Sequence, residues 1–202
     1  MNFTGPKVKL SRKIGVALTP KARKYMENKP YGPGQHGPNK RKGGKMSDFK
    51  KQLFEKQKLR YQYNISEKQM SNYYAEAKRR EGSTPENLLK LLETRLDALV
   101  LRGGLAGSVY ASRQLINHGH IFVNGKKLDK PSYLVKPGDV LSVKEKSRKM
   151  PLINTAIKIA HPPSYLSLDK PKMEVTFLNI PASRAEIPVV CDEILVIEYY
   201  SR

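Results

Sequence analysis

Large apolar residues are unevenly spaced along this 202-residue chain, and their period changes from one stretch to the next. In "DFKKQLFEKQKLRYQY", Phe49 and Leu53 begin a narrow apolar stripe one helical turn apart, while Lys50, Lys51, Lys56, Lys58 and Arg60 cover the rest. The pattern predicts a helix from about Asp48 to Tyr63, capped by Ser47, with a thin core side and a broad basic side. A second helix follows Ser66: Ser66 and Gln69 form a capping box, Ile65 and Met70 a hydrophobic staple, and Gly82 stands where a terminal glycine belongs. A third starts with Thr84 as cap and Pro85 in the first turn, and carries Leu88, Leu92, Leu96 and Leu99 at helical spacing.

After "RGG" at 102–104 the period shortens. Ser108 caps a predicted short helix to about Asn117, ended by Gly119, with Ala111 and Leu115 on one face and Tyr110, Arg113 and Asn117 on another. "HIFVNGKKLD" then reads as strand, Asn124-Gly125 type I′ turn and strand, and "KPGD" turns the chain into the alternating "VLSVKE". From His161 onward, "MEVTFLNI" and "EILVIEYY" also read as strands. Residues 1–45 differ from all of this. Rich in Gly and Pro among many cations, they hold few large apolar residues, and an arm poorly ordered by itself is expected.

Charge sharpens this division. The net +20 comes from 38 Lys and Arg against 18 Asp and Glu; residues 1–60 alone hold 17 basic and 3 acidic residues, whereas 161–202 hold 4 and 6. So dense a positive field at one end points to a polyanion, where neutralised phosphates release counterions. A membrane fits less well, because neither a long apolar stretch nor a basic amphipathic helix with a bulky apolar face accompanies the charge. The N-terminus lacks the apolar segment of a signal peptide, so a soluble intracellular protein is expected.

Motifs for catalysis are weak. Gly32, Gly34 and Gly37 have dinucleotide-loop spacing, but "YMENKP" precedes them in place of a buried strand, and Pro38 blocks the helix that should follow. Exposed glycine amides beside Lys40, Arg41, Lys42 and Lys45 suit a segment lying along phosphates instead. His36, His118, His120 and His161 show no metal-ligand spacing, and Cys191, the sole cysteine, sits in an apolar run as a small hydrophobe.

The segment 95–148, "RLDALVLRGGLAGSVYASRQLINHGHIFVNGKKLDKPSYLVKPGDVLSVKEKSR", resembles the RNA-binding domain of bacterial and organellar small-subunit ribosomal protein four. "TGPKVKLSR" at 4–12, "PYGPGQHG" at 30–37, "EKQKLR" at 55–60, "NLLKLLETRLD" at 87–97 and the C-terminal "YYSR" extend the resemblance along nearly the whole chain. The fold class it implies is α+β: an extended basic N-terminal arm (1–45), a small helical domain (46–93), an inserted RNA-binding domain of helix-loop-helix plus small antiparallel sheet (94–157), and C-terminal strands and tail (158–202) returning to the helical domain.

The resemblance further implies a structural protein, not an enzyme, that binds small-subunit ribosomal RNA directly and early in assembly at a helix junction of the 5′ domain. It implies contact with ribosomal protein five, a place near the messenger RNA entry path, and an influence on accuracy. The location would be cytoplasmic, or an organellar stroma or matrix. Rival readings are an RNA-modifying enzyme targeted by the 95–148 unit and a free-standing RNA binder.

Matching positions make Lys7, Lys9, Arg12, Lys13, Gln35, His36, Gly37, Lys40, Arg41, Lys42 and Lys45 the expected RNA-binding residues of the arm. Lys56, Lys58 and Arg60 join them from the helical domain, and Arg95, Arg102, Arg113, Gln114, His118 and His120 from the inserted one. Three departures stand out. Val8 and Ser11 replace the first cysteine pair of a zinc site found in many relatives, so no metal or other cofactor is expected, and hydrogen bonds with RNA contacts hold the arm. Val109 replaces a frequent basic residue, and Gly103 a large apolar one.

Overall fold

The structure, a computed structural model, describes residues 3–38 and 46–201. The chain divides into two compact units, Met1–Pro85 with Val189–Arg202, and Glu86–Pro188.

In the first unit the N-terminal part is folded into helices, which corrects the expectation of an extended arm. Helix α1 (Lys7–Ile14) and helix α2 (Pro20–Asn28) pack on each other, and α1 also packs on α3 (Asp48–Gln62). Leu10 and Ile14, one turn apart, are buried together with Leu18 and Ala22. These few apolar groups suffice because polar groups add to the local structure. Thr19 accepts from the Ala22 amide at 3.2 Å with Pro20 next in sequence, and the fully buried Ser11 hydroxyl donates to the Lys7 carbonyl at 2.9 Å while accepting from the Leu18 amide at 3.2 Å.

Helix α3 follows its Ser47 cap as the periodicity predicts, and α4 (Glu67–Arg79) carries the full Ser66–Gln69 capping box with Ile65 and Met70 buried. The last strand read from the sequence is instead helix α9 (Glu193–Tyr200). Asp192 accepts from the amides of Ile194 and Leu195 at 3.1 and 3.3 Å, and α9 packs along α3 with Val196 buried. A cap and a helical partner override the β-propensity of Ile, Val and Tyr.

The helix expected through Leu99 is broken in two, α5 (Thr84–Glu93) and α6 (Leu96–Arg102). Arg95 is extended and bridges to Leu134, while the amides of Leu96 and Asp97 donate to the carbonyls of Tyr133 and Pro131 at 2.8 and 3.0 Å. Leucine periodicity runs straight through this break; the loop at 131–135 causes it.

Helix α7 (Val109–Asn117) starts at Ser108, and the hairpin β1 (Ile121–Val123) and β2 (Lys126–Lys127) turns at Asn124-Gly125 with both φ values positive, at 49° and 75°. Strand β3 (Val140–Val143), helix α8 (Pro151–Lys158), β4 (Leu166–Asp169) and β5 (Glu174–Phe177) complete the unit. The strands form one antiparallel sheet in the order β2-β1-β3-β5-β4, with Leu141 opposite Val175 and Phe122 opposite Ser142. Leu99, Leu115, Ile116, Ile121, Ile153, Tyr165 and Phe177 belong to its single core cluster. The expectation that everything after 158 rejoins the helical part is therefore corrected: β4 and β5 extend this sheet, and only Val189 onward belongs to the first unit.

Candidate nucleic-acid interface

Within the first unit, Lys9 and Lys13 project from α1 into solvent, and Gln35 and His36 are exposed in the turn at 34–37. That turn is held from α1. Arg12 donates through Nε and Nη2 to the carbonyls of Tyr31 and Gly32, each at 3.1 Å, and its guanidinium lies 5.0 Å from the Tyr31 ring centre. Gly37 closes the turn with its amide on the Gly34 carbonyl at 3.1 Å; a Cβ there would collide with the Gly32 carbonyl oxygen. Arg12 thus shapes the turn, and Lys7, half-buried, donates to the Thr4 carbonyl at 2.9 Å. Lys40, Arg41, Lys42 and Lys45 lie outside the described residues.

The three cations expected on α3 are turned inward. Lys56 is only 2% exposed, pairs with Glu67 at 2.8 Å and lies 4.5 Å from the Tyr199 ring centre, so its charge is engaged within the unit. Lys58 pairs with Glu55 at 3.1 Å, and Arg60 stands 3.6 Å from Glu67 and over the Tyr61 ring. Glu67 also accepts from the Tyr200 hydroxyl at 2.8 Å. Burial pushes the Glu67 carboxyl up, but hydrogen bonds from Lys56 and Tyr200 and the charges of Lys56 and Arg60 outweigh it and hold it below its usual 4.5. Burial, followed by the Glu67 contact, raises the Tyr200 hydroxyl. Basic residues that do face solvent include Lys50 and Lys51 on α3 and Lys21, Arg23 and Lys24 on α2.

Within the second unit the arginines are likewise engaged. Arg95, expected to bind RNA, is fully buried like Asp97 and paired with it twice, Nε to Oδ1 at 2.9 Å and Nη2 to Oδ2 at 2.6 Å, a core ion pair. Arg113 Nη1 reaches the same Asp97 Oδ2 at 2.5 Å from α7. Arg102 grips the buried Glu93 through Nε and Nη2 at 3.0–3.3 Å, and Glu93 also accepts from the Tyr165 hydroxyl at 3.2 Å. Burial pushes the Tyr165 hydroxyl up, with the Glu93 charge adding to it.

One group of exposed polar residues in the second unit lies at the C-terminus of α7, and further exposed lysines at 130, 136, 158, 170 and 172 lie elsewhere in the unit. Gln114, Asn117 and His118 face solvent, and His120 is half-buried with Nδ1 2.8 Å from the Ser147 hydroxyl. The Lys127 stem from β2 lies against Gly119, and the Lys144 amide donates to the His120 carbonyl at 2.9 Å. Lys126, Lys127, Lys144, Lys146 and Lys149 are exposed here and were missed by the sequence reading. The available signal was the Lys-Lys pair after the Asn-Gly turn: on an edge strand both point to water, where they also discourage strand pairing.

Among the described residues no three His, Cys, Asp or Glu are grouped to hold a metal ion, and no helix is long and apolar enough to cross a membrane. The second unit is an α+β fold that exposes Lys, His and amide side chains on a helix end and an edge hairpin and ties its arginines to buried carboxylates. Its match to the S4 domain places it in the class of α+β RNA-binding folds. Residues 2–93 match the family described as "Ribosomal protein S4/S9 N-terminal domain", and 94–141 match the "S4 domain". The "Small ribosomal subunit protein uS4" of Micrococcus luteus is 51% identical over 201 residues, covering 96% of this chain and 95% of its own. Its counterparts from Thermobifida fusca and Bacillus cytotoxicus are 50% and 48% identical, covering 100% and 99% of this chain and 100% and 98% of theirs. The chain belongs to the uS4 family of small ribosomal subunit proteins.

Proposed function

We propose that this chain, a structural and non-catalytic constituent of the small ribosomal subunit, binds small-subunit ribosomal RNA directly and early in assembly, at a helix junction of the 5′ domain. The family match along the full chain is the observation that carries the reading. The exposed cations fit it chemically. Lys9, Lys13, Lys21, Arg23 and Lys24 in the first unit, and Lys126, Lys127, Lys144, Lys146 and Lys149 in the second, supply phosphate contacts. Gln35, His36, Gln114, His118 and His120 can address 2′-hydroxyls and base edges exposed in folded RNA. The polypeptide works by positioning RNA, and ion pairs such as Lys56–Glu67 in the first unit and the buried Arg95–Asp97 in the second help to fix each unit's shape while it does so.

Contacts with ribosomal protein five and with messenger RNA near its entry path, and through them an effect on decoding accuracy, are part of the same proposal. They rest on the family resemblance. The acidic residues of 161–202 suit a neighbouring basic protein better than phosphates. Chemical footprinting of the full chain on small-subunit RNA tests the proposal. Protections clustered at one junction of the 5′ domain are expected; protections scattered evenly along the transcript contradict it.

A further inference from the structure

Asp97 receives three hydrogen bonds from two arginines on different elements: Arg95, at the break before α6, and Arg113, on α7. The carboxylate is fixed in turn, because its residue lies in the first turn of α6 and its amide is held by the Pro131 carbonyl at 3.0 Å. Carboxylate and Arg95 have no exposure, whereas the Arg113 side chain retains 14%. Arg113 is therefore the member through which this buried cluster reaches the surface, one residue from the exposed Gln114 and one helical turn from Asn117.

An isolated arginine on a helix surface samples many rotamers and attracts any phosphate. One whose guanidinium is pinned on a buried carboxylate presents a single geometry and attracts phosphate less, because the carboxylate opposes the approach. We propose that Asp97 is a specificity-determining positioning residue: it holds Arg113 so that α7 favours the backbone geometry of a folded RNA over random polyanion. The inference rests on the RNA-binding reading above. It makes opposite predictions for two ligands, which a purely structural carboxylate would not.

The test is binding of full-length Asp97→Asn to folded small-subunit RNA and to random-sequence RNA of equal length. Asparagine keeps the shape and removes one negative charge. Affinity for the folded RNA is expected to fall about tenfold, while affinity for random RNA stays level or rises, since the net positive charge has increased. Equal changes for the two ligands overturn the proposal.

A second arm removes dependence on that one variant. Arg113→Met leaves the Arg95–Asp97 pair intact, and Arg113→Lys keeps charge while losing the planar fork. Both are expected to lose the preference for folded RNA, and Asp97→Asn added to Arg113→Met is expected to cost no further preference. If circular dichroism shows Asp97→Asn unfolded, Arg113→Lys decides, and preference retained within twofold overturns the proposal. Should the unaltered protein itself show no preference for the folded RNA, the RNA-binding reading fails first, and that outcome overturns the positioning role with it.

Discussion

Gly103 lies at the end of α6 in ordinary right-handed helical geometry, φ −69° and ψ −6°, so its backbone does not require glycine. On conformational grounds alone, Gly103→Ala should stabilise the protein by about 0.4–1 kcal/mol, because the unfolded chain loses freedom. Packing decides otherwise. A Cβ at this position would lie 2.7 Å from both Val175 methyls and 3.0 Å from the Leu99 carbonyl oxygen, which already accepts the Gly103 amide. Val175 cannot move aside easily: it is fully buried on β5, in register with Leu141 of β3 and Leu168 of β4. Overpacking of this kind costs about 1–3 kcal/mol.

The net expectation is a loss of about 1–2 kcal/mol, a drop of roughly 2–8 °C in the midpoint of thermal unfolding for a chain of this size. The sign is the diagnostic feature, since the backbone and packing effects oppose each other. Circular dichroism melts of the full chain provide the measurement, and Val175→Ala provides the control. That change removes both methyls the new Cβ would meet, so on its background Gly103→Ala should become neutral or stabilising. A Gly103→Ala protein that melts at or above the parent, or whose penalty is undiminished beside Ala at 175, shows that packing against Val175 does not decide the sign.

Ser11→Ala removes the buried acceptor of the Leu18 amide and should cost ~1–3 kcal/mol, with faster hydrogen exchange at Leu18; an unchanged rate contradicts the role given to the hydroxyl. Glu67 has a depressed carboxyl, so its stabilisation is present above its usual 4.5 and is lost as pH falls towards the folded-state value. Glu67→Gln should therefore be less stable than the parent in urea titrations at pH 7, with the gap closing in acid; a gap independent of pH contradicts the assignment. Lys9→Gln with Lys13→Gln should lower the slope of log affinity against log salt by roughly 0.7–0.9 for each phosphate no longer neutralised. Lys56→Gln, by contrast, should leave the slope unchanged and lower the melting temperature, and the opposite pattern would place Lys56 on RNA and Lys9 and Lys13 off it.

Much of the fold was legible where local signals agreed. The Ser66–Gln69 capping box, the Ser47 and Ser108 caps and the Asn124-Gly125 turn each fix a few residues by short-range bonds, and the structure has all of them. Reading failed where distant segments decide. The break at Thr94–Arg95 depends on carbonyls at 131 and 133, and α9 is a helix because Asp192 caps it and α3 receives it. In residues 1–38 the low apolar count concealed two helices, because a serine hydroxyl and an arginine contribute part of what a larger core would.

Site residues divide along the same line. Lys9, Lys13, Gln35, His36, Gln114 and His118, expected to bind RNA, are exposed. Arg95, Lys56 and Arg102 were expected from matching family positions, and a matching position does not reveal that Asp97, Glu67 and Glu93 stand beside them in the fold. Charge on the sequence is thus a poor guide to charge offered to a partner. The lysines at 126, 127, 144, 146 and 149 restore the second unit's cationic surface from residues outside the helix that drew attention.

Function as proposed requires that the protein prefer folded ribosomal RNA over negative charge as such. Competition between labelled small-subunit RNA and unlabelled random RNA of equal length, for the full chain at several salt concentrations, measures this preference. A steep loss of affinity with salt is expected for both RNAs, together with a preference for the folded RNA that persists as salt rises. Equal competition by the two RNAs at every salt concentration would contradict it.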